Sequence, residues 1–157
     1  MKKIIVSLVL FLLFTLAARG QDYHTGIGIK IGMAPGISAK HFLTTNAALE
    51  GDLTFRWQGV NFTGLGEFHI PVFDTEGMSF FYGGGFHLGV WDSGLAMDEV
   101  ASGRKFNMGL DAIVGLEHAF PGIPLSLGLD WKPNFNIITD SRFIVDEISF
   151  TIRYLIR

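Results

Sequence analysis

Along residues 49–57 apolar and polar positions alternate without a fault: Leu49, Gly51, Leu53, Phe55 and Trp57 against Glu50, Asp52, Thr54 and Arg56. A period of two belongs to a β-strand with one face of each kind. The alternation predicts eight such strands, at roughly 25–33, 36–43, 47–57, 60–71, 79–91, 106–120, 124–137 and 147–156. Turn chemistry separates them: Ala34-Pro35-Gly36, Thr44-Thr45-Asn46, Gln58-Gly59, Asp74–Gly77 and Pro121–Pro124. The longest polar connection is 92–105. Proline and glycine between β-branched and aromatic residues leave no helix of useful length after the N-terminal segment.

The two faces have different chemistry. Outward rows of the kind Val60-Phe62-Gly64-Gly66-Phe68-Ile70 and Ile148-Phe150-Ile152-Tyr154-Ile156 are apolar. Opposite them stand Lys30, Glu50, Asp52, Arg56, Glu67, His69, His87, Asp111, Glu117, Asp130, Lys132 and Arg153. Strand 36–43 resists assignment, because Lys40 and His41 fall on opposite faces. Several strands reach the ~9–11 residues that a tilted strand needs to cross hydrocarbon. An eight-stranded barrel is just wide enough inside to be filled by side chains, and tiers of Leu, Phe and Trp would overfill it. The polar faces, padded with glycine, leave room for long charged side chains. The predicted fold is therefore all-β: an eight-stranded antiparallel up-and-down transmembrane β-barrel with charges inside and apolar residues toward lipid.

Aromatic residues cluster at strand ends. With a periplasmic N-terminus, Trp57, Trp91 and Trp131 fall toward one rim. Phe42, Phe73, Phe120, Tyr82 and Tyr154 fall toward the other, as membrane interfaces select. Ions inside a narrow barrel must pair, so the inward residues are expected to form a charge network. The turn at 121–124 sets Asp111 opposite Lys132 or one pairing step away, and the two are expected to touch. His69 and His87 sit about 13 Å apart along their hairpin, too far for one zinc, and Glu67 is the nearer partner for His87. Pro133 calls for a bulge or strand exit.

The remaining composition fixes compartment and excludes classes. Met1-Lys2-Lys3, an apolar run over 4–16 and Ala18-Arg19-Gly20 have the layout of a cleavable signal peptide, residues 1–20. The barrel domain is then 21–157, with nine basic against fifteen acidic side chains, which argues against a nucleic-acid partner. There is no cysteine, hence neither disulfide nor thiolate site. Hydrolase, zinc-protease and phosphate-loop signatures are absent, and the glycines of 26–32 open no helix. His118 lies on the apolar face with no serine in register. The Asn61-Phe62-Thr63 sequon reads as chance. No catalytic residue, cofactor or metal is expected.

At this point the chain resembles the small eight-stranded outer-membrane β-barrel proteins of Gram-negative bacteria, the OmpA/OmpX-type group. The segments LEGDLTFRWQGVNFTGLGEFHIPVF (49–73) and GLEHAFPGIPLSLGLDWKPNFNI (115–137) are similar to small barrel proteins of Bacteroidota. The resemblance implies the cell outer membrane as location. It implies lipid, the insertion machinery and periplasmic chaperones as partners. Barrels of this group end on an aromatic residue; here Arg157 follows Ile156. The reading expected from all this is a monomeric, non-enzymatic barrel with a filled interior and a structural or surface-interaction role. The alternatives are a narrow pore or small-ligand transporter, and a soluble periplasmic lipocalin-like binder.

Overall fold

A computed structural model describes residues 23–56, 59–92, 104–138 and 142–156, except for the side chains of 91, 92 and 104. The expected signal peptide, Trp57, the Trp91 side chain and most of the 92–105 connection lie outside the described residues. Ten strands are present among the described residues: β1 (Thr25–Gly32), β2 (Gly36–Phe42), β3 (Ala47–Arg56), β4 (Gly59–Pro71) and β5 (Met78–Asp92). They continue as β6 (Arg104–Ala119), β7 (Leu125–Trp131), β8 (Asn134–Ile138), β9 (Phe143–Ile144) and β10 (Ile148–Ile156).

Each of β1 to β6 pairs antiparallel with its neighbour in sequence, and β1 also pairs with β10, which closes the sheet on itself. The barrel has eight staves, because β7 with β8 forms one and β9 with β10 another. The sequence predicted the first stave as a single strand over 124–137 and the second only as 147–156, with β9 left in a connection. Pro133, which has no N–H, divides the first of them. The wall nevertheless stays shut there: Ala112 N–H donates to the Pro133 carbonyl at 2.9 Å, and Lys132 N–H to the Glu147 carbonyl at 2.8 Å.

The end that carries Tyr23, Ile156 and the turns after β2, β4 and β6 is the base; the opposite end is the top. Gly77 turns the chain at the base with a φ of 79°, and a Cβ there would fall 1.9 Å from the Ala119 carbonyl oxygen.

Burial follows the alternation. On β3, Ala48, Glu50, Asp52 and Thr54 are buried, whereas Leu49 and Phe55 are exposed. On β2, Lys40 points in and His41 points out. The outer surface is an almost continuous apolar coat, with Ile27, Leu49, Phe68, Leu110, Leu129 and Ile148 each more than half exposed. Tyr82 and Tyr154 stand in this coat near the base and Trp131 nearer the top. Phe42, expected at the aromatic rim, is instead inside. Its parity is that of Lys40, and it packs edge-on against Tyr23 with ring centroids 5.1 Å apart.

Candidate functional site

The inward rows converge on one constellation of charges. Its centre is Arg153 on β10, which reaches Glu50 on β3 (2.6 Å), Glu117 on β6 (3.3 Å) and Ser38 on β2 (3.1 Å). Lys40 on β2 contacts Glu67 (2.7 Å), Glu117 (2.9 Å) and Glu50 (3.0 Å), with its ammonium 4.3 Å from the centre of the Phe81 ring. Lys30 on β1 contacts Asp52 (2.8 Å), Glu50 (3.2 Å) and Asp130 (3.6 Å). Four staves are thereby tied through Glu50, Glu117, Lys40 and Arg153 alone.

Glycine makes the room. Gly28 on β1 faces Arg153, and a Cβ there would come within 2.8 Å of its Cγ and 2.7 Å of its Cα. Gly128 on β7 also faces Arg153, at a comfortable 3.6 Å. Neither position could carry a large side chain beside that guanidinium without displacing it.

Below the constellation the base is stoppered. Tyr23, ahead of β1, is almost fully buried and donates its hydroxyl hydrogen bond to Glu117. Around it Phe42, Ala48, Ala119 and Leu155 form a small apolar cluster. His69 lies between Phe42 and Phe81, its Nε2–H donating to Glu67 (3.0 Å) and its Nδ1 accepting from Ser79 (3.1 Å). A second apolar patch, Leu65, Phe81 and Ile113, fills the middle.

Toward the top the contacts become separate pairs. Lys132 contacts Glu147 at 2.8 Å, and His87 Nδ1–H donates to Asp111 at 2.7 Å while its other ring nitrogen meets the Asn136 amide. Arg56 and Asp146 form a partly exposed pair at 3.1 Å. Among these lies a polar recess of about 40 Å³ lined by Asn61, Asn107, Asn134 and Asn136 together with His87 and Glu147. That is room for very few water molecules.

Every inward residue singled out in the sequence is buried here except Arg56, which is half-buried at the top. Two expected contacts are corrected. Asp111 and Lys132 form no ion pair: Asp111 stands opposite Asn134, one pairing step away, and each ion has a nearer partner. Glu67 is not the partner of His87; it holds Lys40 and His69 instead. Lys40, Glu147 and Tyr23 were missed. The turn at 44–46 was the signal for Lys40, since it sets Lys40 directly opposite Glu50.

The arrangement fits a filled interior. Three cations face five carboxylates in the central constellation, and Asp52 Oδ1 and Glu67 Oε1 have no hydrogen-bond partner in the protein. Among the described residues no group of three or more His, Cys, Asp or Glu side chains is placed to hold a metal ion. A lipocalin-type binder requires the reverse arrangement, with an apolar cavity inside and a polar coat.

No family model matches the chain, and no curated protein matches its sequence. A solved structure does match: the N-terminal β-barrel domain of Pseudomonas aeruginosa OprF, with a TM-score of 0.64 and 13% identity. The match covers 86% of this chain and 98% of that domain. This chain thus has a closed eight-stranded antiparallel barrel fold similar to that of the OprF N-terminal domain.

Proposed function

We propose that this protein is an integral outer-membrane barrel whose ion-paired interior seals it, and which acts as a structural or surface-interacting element rather than a catalyst. The observation that carries the reading is the inversion of the two faces. Apolar side chains coat the outside, and the largest fully buried side chains include Arg153, Lys40, Lys132, Glu67 and Glu117 beside the aromatic Tyr23 and Phe81. Water would not tolerate a contiguous apolar coat of that extent, whereas hydrocarbon requires one. The fold shared with the OprF domain supports the same location.

In this reading residues 1–20 are removed on export, the base faces the periplasm, and the 92–105 connection lies on the outer side. Lipid, the insertion machinery and periplasmic chaperones are its partners, and it works as a monomer. Burying the ions is costly in itself, and the charges repay that cost only as a network. Their gain is a plug that no apolar ligand enters.

Membrane fractionation with a gel of unboiled and boiled samples tests the location. The protein should remain with outer membranes after a carbonate wash and migrate differently before and after boiling. Recovery in the aqueous fraction without detergent would overturn the reading.

A further inference from the structure

The strand register fixes the shape of both rims, and they differ. One rung crosses six strands: Ile29 pairs with Ile37, Ile37 with Leu53, Leu53 with Phe62, Phe62 with Leu88 and Leu88 with Met108. Strands in a closed barrel slant by about 35–45°, so each step across climbs ~3 Å along the axis and each residue along a strand ~2.5 Å. The climb is toward the top. Gly26 pairs on its other side with Leu155, but the parallel rung from Gly26 through Lys40, Glu50, Leu65, Gly85, Asp111 and Asn134 reaches that same stave at Ile144, about ten residues higher.

At the base the strands compensate for the climb. Below the rung β1 runs only from Ile29 to Thr25, while β6 runs from Met108 to Ala119. The base rim is therefore level. At the top there is no compensation, because the six strands end close above the rung, at Gly32, Gly36, Arg56, Gly59, Asp92 and Arg104. The top rim thus rises by about 15 Å from the β1–β2 hairpin to β6. The outward apolar coat follows it. On β1 and in the turn after it the coat stops at Ile31 and Met33, whereas on β5 and β6 it continues to Val90 and Phe106, about 10 Å higher, and on the stave next to β1 it continues to Val145 and Phe143.

We propose that this coat is a wedge whose partner is the acyl-chain layer itself, and that it thins the outer leaflet beside the β1–β2 hairpin. The proposal rests on the membrane reading above. A level base with a slanted top fits no slab with parallel faces. A tilt that brings the tall side down lifts the base on one side by the same amount. The bilayer must therefore yield locally, and it does so at modest cost per ångström of mismatch.

Four outward positions test this in the full chain, reconstituted in phosphatidylcholine vesicles. Met33 and Leu110 lie at about the same height on opposite sides of the barrel, as do Leu43 and Phe120 at the base. Each is replaced singly by cysteine and carries a nitroxide. Its depth is read from accessibility to oxygen against a water-soluble nickel chelate, and folding is checked by heat-modifiable migration. The wedge predicts a several-fold higher nickel accessibility at Met33→Cys than at Leu110→Cys, with Leu43→Cys and Phe120→Cys equal.

Equal accessibility at Met33→Cys and Leu110→Cys would overturn the proposal. So would a base pair that differs in the opposite sense, which is rigid tilt. Full aqueous accessibility at all four positions would overturn the membrane reading, and the wedge with it.

Discussion

At the scale of residues, the ions divide into a shared central constellation and separate pairs above it, and mutation should expose the division. Lys132 is fully buried and contacts Glu147 at 2.8 Å, with Asp111 held by His87 instead. Replacing Lys132 by Met leaves a buried carboxylate without its cation and should cost ~3 kcal/mol in urea unfolding from detergent micelles. A double-mutant cycle with Glu147→Gln should show about 1–3 kcal/mol of coupling, and the cycle with Asp111→Asn should be additive to within ~0.5 kcal/mol. Coupling to Asp111 rather than Glu147 would contradict the contacts described. This is also where the sequence was least legible. Alternation told which residues face inward, so Glu50, Glu117 and Arg153 were visible as network members. Partner choice depends on side-chain reach across the lumen, and no strand pattern encodes that. His87 shows it, reaching Asp111 and Asn136 from two further staves.

Strands and turns were more readable, and glycine marks how closely they approach. Gly85 on β5 faces inward where the sheet coils hard, and a Cβ there would lie 1.8 Å from the Gly64 carbonyl oxygen. Gly128 on β7 also faces inward, yet its nearest neighbour is 3.6 Å away. Gly85→Ala should therefore lower stability by about 1–3 kcal/mol, while Gly128→Ala should leave the urea midpoint nearly unchanged. Equal effects would mean that the strands do not coil at Gly85 as described. Long strands such as β4, β5 and β6 were legible because many alternating positions vote together. Short β2 was not, since Lys40 and His41 cancel each other and only its register with β3 places Phe42 inside. The division of one stave at Pro133 was signalled by the missing N–H. The shift between Met108 and Gly109, where β6 meets β8, had no signal of its own.

For the whole molecule, an inverted distribution of polarity and a closed up-and-down sheet explain one another. Closure pairs β1 with β10, so the described sheet has no free edge there, as a sheet in contact with hydrocarbon would require. The base, stoppered by Tyr23 and Phe42, and the ion pairs that bridge the staves fit a filled interior. The overall fold was legible from alternation, strand length and glycine placement; the stopper was not, because Tyr23 precedes the first alternating segment. Single-channel recording in planar lipid bilayers tests the sealed interior most directly. The refolded protein, shown to be inserted by its heat-modifiable migration, should give no sustained conductance steps above the bare bilayer. Reproducible, long-lived steps would contradict the sealed barrel and establish a pore.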